Sequence, residues 1–370
     1  MGTFKVAPEI ELFESADRFI EQLCPGPRDV VLTNAVIYQQ HLRAYNLKSA
    51  VFFQENYGAG EPSDTMVNAI LADMKDLPFD RIFAVGGGTV LDVAKILSLS
   101  GFKNVLEVLH GQVPPVKLHR LVAVPTTCGT GSEVTNIAIL EETESHIKKG
   151  IAGTALFPDQ AALVPDFLRD LPYRFFAFSS IDALIHALES YLAPRSNPIT
   201  ELFATEAVRR IVTAYLDIAG QGQTAQARQS PSVLLASTLA GIAFANTGVG
   251  AVHAMSYPLG GKYHVAHGEA NYAFLGAVME RYLERNPEGK IKQLNEFVAN
   301  VLRTGRAPGT MTLADLLAAI APLKRLRDYG VKEEELPEFA EAAMAQERLL
   351  KNNYVALSYS ELLQMYQSRY

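Results

Sequence analysis

Cysteine is nearly absent from this chain of 370 residues, where Cys24 and Cys128 are the only two. Two thiols cannot build a disulfide framework, so the expected compartment is the reducing cytoplasm. Tryptophan is missing altogether, and the charge balance is thin: 33 basic against 40 acidic residues, a formal net charge of -7. No basic stripe breaks that balance, which argues against a nucleic-acid partner. The opening residues, MGTFKVAPEIELFESADRF, carry acids early and lack the basic-then-apolar order of a signal peptide. Met1-Gly2 begins a myristoylation pattern that fails at Val6, where Ser or Thr is required. Between Arg228 and Lys262 lies one uncharged interval long enough to cross a bilayer, but Asn246, Thr247, His253 and Pro258 interrupt it. A buried helix followed by a functional loop is expected there, and no membrane partner.

What is present is an ordinary globular composition, 48% hydrophobic and 20% charged, in a length that suits two domains. Through the first half, short β-branched runs alternate with helical patterns: DVVLTN from Asp29, SAVFFQ from Ser49, RIFAVGGG from Arg81 and HRLVAVPTT from His119. That rhythm predicts βαβ units and a Rossmann-like parallel sheet. From about Phe175 strand signals vanish and the pattern is helical throughout. An α/β domain over residues 1–176 and an all-α domain over 177–370 are therefore expected. Ser179 or Ser180 reads as a cap for IDALIHALESYL, and Ser358 with Glu361 as a capping box.

Two segments at strand ends suit a nucleotide. Gly86, Gly87 and Gly88 separate an apolar strand from a helix whose first turn holds Thr89 and Asp92. Glycines there let backbone N–H groups approach a pyrophosphate beside a helix N-terminus. The pattern is neither G-x-G-x-x-G nor a Walker loop, and a tight βα turn is the alternative. The following strand ends in PTTCGTGSEVTN, where Thr126, Thr127, Thr130 and Ser132 offer hydroxyls to phosphate or ribose, or else cap the next turn. No sequence signature gives Cys128 among them a partner histidine, and it reads as a small buried residue. GAGEP, from Gly58, reads as a turn.

Histidines supply the other chemistry. Asp182 and His186, four residues apart on a helical segment, project from one face and can chelate one ion. His253 lies late in the uncharged interval, and His267 follows a stretch holding Pro258, Gly260 and Gly261. One carboxylate and three imidazoles suit Fe(II) or Zn, with room left for a substrate oxygen. His264 is a decoy or a supporting residue; His41, His110, His119 and His146 read as surface or loop histidines.

In this order and at these separations, GGGTVLDVAK, PTTCGTGSEVT, DALIHALESY and HAMSYPLGGKYHVAHG resemble the iron-containing (group III) alcohol dehydrogenases, whose fold is that of dehydroquinate synthase. The likeness runs from about Val30 to Ser358. It implies one divalent metal on Asp182, His186, His253 and His267, NAD(P) across the Gly86–Gly88 turn, Lys149 near that cofactor, and a homodimer or larger homo-oligomer. Members commonly carry another histidine four residues after the third ligand; here Tyr257 stands there, a departure that points toward members oxidising an ω-hydroxy acid. Lys262 then becomes a candidate cation for the substrate carboxylate. The family's first strand often ends in Thr-Asp, whose acid disfavours a 2′-phosphate; this chain has Thr33-Asn34, and NAD is expected with NADP admitted. A dehydroquinate-synthase-like lyase would need several basic side chains, and residues 250–271 offer one Lys and no Arg.

Overall fold

The computed structural model describes residues 3–145, 147–304 and 311–370. His146 and the Met1-Gly2 pair lie outside the described residues. The chain divides into two compact units, Val6–Leu171, and Pro172–Tyr370 together with the N-terminal residues through Lys5. The division falls before the expected 176/177 boundary because a long helix starts directly after Pro172, at Tyr173.

In the α/β unit, β1 (Glu9–Leu12), β2 (Asp29–Thr33), β3 (Ala50–Phe53), β4 (Arg81–Gly86), β7 (Arg120–Pro125) and β10 (Gln160–Leu163) form one sheet in the order β1-β10-β7-β4-β2-β3. Every pairing in it is parallel. Two antiparallel pairs accompany it: β5 (Leu99–Ser100) with β6 (Val116–Lys117), and β8 (Ile137–Glu142) with β9 (Ile147–Ala152). The helices are α1 (Ala16–Leu23), α2 (Ala35–Ile37), α3 (Asp64–Met74), α4 (Gly88–Leu97) and α5 (Val105–Leu109).

The sheet is buried on both faces, which is why its central strands read as unbroken apolar runs. Val30, Leu32, Ile82, Ala84, Leu121 and Ala123 pack with α3 and α4. Their neighbours Val31, Phe83, Val85, Val122 and Val124 pack with Phe19 of α1 and with Phe167. Each Val, Leu, Ile or Phe buried this way contributes roughly 1.5–3 kcal/mol. The register aligns the strand ends: Thr33 pairs with Phe53 and with Val85, and Gly86 with Pro125. Asn34, Gln54, Gly87 and Thr126 therefore open the loops of a single carboxyl edge, the usual ligand edge of such sheets.

The other unit contains α6 (Tyr173–Leu192), α7 (Pro198–Gln221), α8 (Gln226–Thr247), α9 (Ala251–Tyr263), α10 (His267–Arg285), α11 (Lys290–Thr304), α12 (Leu313–Ile320), α13 (Leu336–Met344), α14 (Glu347–Leu350) and α15 (Tyr359–Arg369). Its N-terminal segment is tied in by Lys5 N–H, which donates to Asn246 Oδ1 at 2.7 Å.

Two local expectations are corrected. The helix bearing Asp182 does not start at Ser179 or Ser180: their hydroxyls donate back to the carbonyls of Phe176 and Ala177, inside α6. Pro258, Gly260 and Gly261 do not form a loop but lie within α9, which ends at His264 in a left-handed conformation, φ 51°. No single described helix is long and apolar enough to cross a membrane, and the uncharged interval folds as α8 and α9, bent 106° apart. The Ser358–Glu361 capping box is formed, with Ser358 N–H donating to Glu361 Oε2 at 2.8 Å.

Candidate active site

The structure brings Asp182, His186, His253 and His267 together, each with a ligand atom within 4.8 Å of every other. Asp182 and His186 stand one turn apart on α6, His253 lies in the first turn of α9, and His267 is the first residue of α10. His253 Nε2 and His186 Nε2 are 3.0 Å apart. Asp182 Oδ1 is 3.9 Å from the Nε2 atoms of both His253 and His267. Three of the four are buried; the His267 side chain, 38% exposed, gives the cluster its open side. Gly268 allows the approach: a Cβ there would sit 2.2 Å from the Phe178 carbonyl oxygen of α6, so only glycine fits beside His267.

These residues fit a divalent cation. Two imidazole nitrogens at 3.0 Å can share at most one hydrogen between them, so lone pairs converge with a carboxylate on one small volume. Burial pushes the His186 imidazole down to about 4, which keeps it neutral and able to ligate near neutral pH. At His253 burial also works against charge, but the carboxylates of Glu189 and Asp182 outweigh it and hold the ring above its ordinary value. Burial would raise Asp182, yet the three imidazoles and Asn271 keep its carboxyl below the usual range. A cation and a proton on His253 therefore compete for the same carboxylate-rich surroundings.

Residues the sequence reading passed over hold the cluster. Glu189 accepts from Val252 N–H at 2.8 Å and sits 2.6 Å from His253 Nδ1, which orients that ring and leaves Nε2 for the cation. Asn271 Nδ2 donates to Asp182 Oδ1 at 2.7 Å and lies 3.1 Å from His267 Nε2. Phe244 stacks on His186, ring centroids 4.3 Å apart. Glu269, 2% exposed, accepts from Arg174 at 2.8 Å and from Lys324 at 2.9 Å, which fixes the first turn of α10. A spacing signal existed: Asp182, His186 and Glu189 follow one helical face, as do His267 and Asn271.

Other predicted residues lie elsewhere. Lys262 is corrected: its ammonium is bound between Glu335 at 2.8 Å and Glu338 at 2.9 Å, so its charge is already matched within the protein. Tyr257 lies one turn beyond His253 on α9, half-buried. His264 is exposed at the end of α9, outside the cluster. His110 is paired with Glu142 at 2.6 Å, and His119 stacks on Phe79 at 4.0 Å between ring centroids. The surface expectation is corrected for His41, whose side chain is only 9% exposed and packs on Phe167.

On the carboxyl edge of the sheet, Gly87 precedes α4 without a side-chain cap. Cβ atoms would meet Val90 at 2.5 Å from Gly86 and Thr130 at 2.7 Å from Gly88, while Thr127 lies against Gly87. The turn is a bare backbone cradle flanked by threonines, suited to a pyrophosphate. Thr126 is buried, and Thr130 Oγ1 accepts from Ser132 N–H at 3.3 Å, a local turn bond. Asp92 is corrected from a cofactor contact to a brace: it accepts from Ser132 Oγ at 2.6 Å, Ile139 N–H at 2.9 Å and the buried Lys95 at 3.3 Å. Lys149 is committed to Glu142 at 2.6 Å across the β8–β9 hairpin. Thr89 donates its hydroxyl to the Gly60 carbonyl at 3.2 Å. Cys128 is buried, as expected.

A parallel sheet with a glycine cradle, and a helical unit with an Asp-His-His-His cluster, define a metal-dependent dehydrogenase architecture. The chain belongs to the iron-containing alcohol dehydrogenase family: residues 26–165 match the family's iron-containing alcohol dehydrogenase model, and residues 176–370 its C-terminal model. It is an alcohol-oxidising enzyme. It is 45% identical to the 4-hydroxybutyrate dehydrogenase of Clostridium kluyveri over 371 residues, covering 100% of both chains. It is 34% identical to the 1,3-propanediol dehydrogenase of Klebsiella pneumoniae, covering 79% of this chain and 76% of that one. The crystal structure of a 1,3-propanediol oxidoreductase superposes with a TM-score of 0.82 at 28% identity, covering 100% of both chains. A sulfoacetaldehyde reductase from Bifidobacterium kashiwanohense, solved with NAD+, shares the fold at a TM-score of 0.82 and 22% identity, covering 100% of this chain and 98% of that one.

Proposed function

We propose that this enzyme interconverts 4-hydroxybutyrate and succinic semialdehyde with NAD, using one divalent metal, Fe(II) or Zn, held by Asp182, His186, His253 and His267. The observation that carries the substrate is the 45% identity, end to end, with the Clostridium kluyveri 4-hydroxybutyrate dehydrogenase. A bound divalent cation supplies Lewis acidity, which lowers the pKa of a coordinated hydroxyl by several units. Hydride acceptance belongs to the nicotinamide. The protein's part is placement. Glu189 orients His253, Asn271 steadies Asp182, and the exposed side of His267 leaves a path for substrate. Tyr257, one turn past His253, shapes the pocket where family members commonly carry histidine.

A carboxylate substrate needs a cation or hydrogen-bond donors, and Lys262, paired with Glu335 and Glu338, is already engaged within the protein. The backbone cradle at Gly86–Gly88, with Thr126 and Thr127, takes the cofactor pyrophosphate, and Asn34 a ribose hydroxyl. With two cysteines in the chain, one exposed and one buried, a reducing cytoplasm is the expected compartment, and a homo-oligomer the expected assembly.

Steady-state assays on metal-quantified protein test the reading. We expect kcat/KM for 4-hydroxybutyrate to exceed that for butanol and 1,3-propanediol by at least about tenfold, the discrimination of one good charged contact. Equal kcat/KM across the panel would refute the carboxylate pocket and favour a general diol dehydrogenase, as the Klebsiella pneumoniae relative is named.

A further inference from the structure

The carboxyl edge of the sheet carries an acid that the strand bearing Asn34 does not. Glu55, in the turn that leaves β3, accepts a hydrogen bond from Ala35 N–H at 2.6 Å and another from Asn34 Nδ2 at 3.0 Å. Gln54 Oε1 accepts from the same Asn34 amide at 3.1 Å. β3 pairs beside β2, and β2 beside the β4 strand that delivers the glycine cradle, so Glu55 comes from two strands away, but its bonds to Asn34 and Ala35 hold the carboxylate at the end of β2, the strand adjacent to the cradle strand. In parallel nucleotide-binding sheets that is where an acid binds the ribose 2′-hydroxyl.

We infer that Glu55 is the residue that makes this enzyme select NAD over NADP: it carries from the neighbouring strand the negative charge that Asn34 cannot supply. The inference rests on the cofactor reading above and extends it to one residue. Two of the carboxylate's roughly four lone-pair sites are taken by Asn34 and Ala35, and the side chain is exposed, so the rest face outward and can accept from ribose hydroxyls. A 2′-phosphate brought to the same place meets charge of its own sign. Asn34 has a double role: it presents Glu55 and can itself reach a ribose hydroxyl. A simple helix cap accounts for the Ala35 bond but not for the second, to the Asn34 side chain.

The test uses direct binding on the intact protein. Wild type, Glu55→Gln and the double variant Asn34→Asp/Glu55→Gln are titrated with NADH and NADPH by nicotinamide fluorescence, and with 5′-AMP and 2′,5′-ADP by calorimetry. Gln keeps an acceptor for Ala35 N–H, so the local fold is preserved. Wild type should bind NADH at least about tenfold more tightly than NADPH, a ratio that narrows as salt is raised, as expected for two charges near the surface. Glu55→Gln should tighten NADPH and 2′,5′-ADP about tenfold while NADH and 5′-AMP stay within about threefold. The double variant, with its acid moved to β2, should restore the preference. An unchanged NADPH-to-NADH ratio in Glu55→Gln overturns the assignment while leaving the cofactor reading intact. If no variant, nor wild type, binds any of the four nucleotides, the cofactor reading itself fails and the assignment falls with it.

Discussion

Replacing Glu189 by glutamine removes one charge and almost no volume from the support of the metal cluster. The carboxylate accepts from Val252 N–H at 2.8 Å and lies 2.6 Å from His253 Nδ1, with the two side chains 2% and 3% exposed. A glutamine has one acceptor and one donor where the glutamate has two acceptors. If its oxygen faces Val252 N–H, its NH2 faces His253 Nδ1; that nitrogen must then accept, the ring hydrogen moves to Nε2, and the lone pair aimed at His186 and Asp182 is lost. If the amide turns over, its NH2 confronts Val252 N–H and a buried donor goes unpaired, at about 1–3 kcal/mol. The first arrangement costs about 10- to 100-fold in metal affinity, roughly 1.4–2.7 kcal/mol, the usual range for a lost carboxylate behind a ligating histidine. Chelator competition measures the affinity, and denaturant unfolding of metal-free protein measures the stability. Each outcome has its own readout, and one of them must move. A Glu189→Gln protein within twofold of wild type in metal affinity and unchanged in unfolding midpoint would refute this account of how His253 is held.

Three further expectations follow from particular contacts. Gly268→Ala places a Cβ 2.2 Å from the Phe178 carbonyl, so α10 must back away from α6; about 1–3 kcal/mol of stability should go, with weaker metal binding by chelator competition. Lys262→Met should leave KM for 4-hydroxybutyrate within about twofold, because its ammonium already serves Glu335 and Glu338 in an exposed pair of small energetic weight; a rise of about tenfold would return Lys262 to the substrate pocket. Lys149, with Ser145 and His110, draws the Glu142 carboxyl from its ordinary 4.5 down to about 2. A depressed carboxyl contributes stability above its unfolded pKa and loses it as pH falls through the folded one, here from about 4.5 to about 2. Lys149→Met should therefore flatten the fall in urea midpoint between pH 5 and 2; an unaltered profile would show that this pair does not set it.

How much of this was legible in the chain depended on how far apart the interacting residues lie. The central strands were legible because their burial on both faces leaves an unbroken apolar run, and Asp182 with His186 because a helix turn puts them on one face. Edge strand β1, with Glu9 and Glu11 alternating, has no such run and was missed, as was the β8–β9 hairpin. Lys262 misled for the opposite reason: its local surroundings are apolar and histidine-rich, while the glutamates that neutralise it come from more than 70 positions later. Pro258, Gly260 and Gly261 suggested a loop, yet these positions stay helical because tertiary packing outweighs intrinsic preference, with Tyr366 donating to the Met255 carbonyl at 2.7 Å and Leu259 fully buried. Glu55 follows the same logic. The reading of Thr33-Asn34 treated the charge at that strand end as a property of one strand, whereas in a parallel sheet the adjacent strand ends a few ångströms away, so an acid on either can occupy the same space. The absence of an aspartate at position 34 is therefore no argument for accepting a 2′-phosphate once the neighbour across the ladder is known.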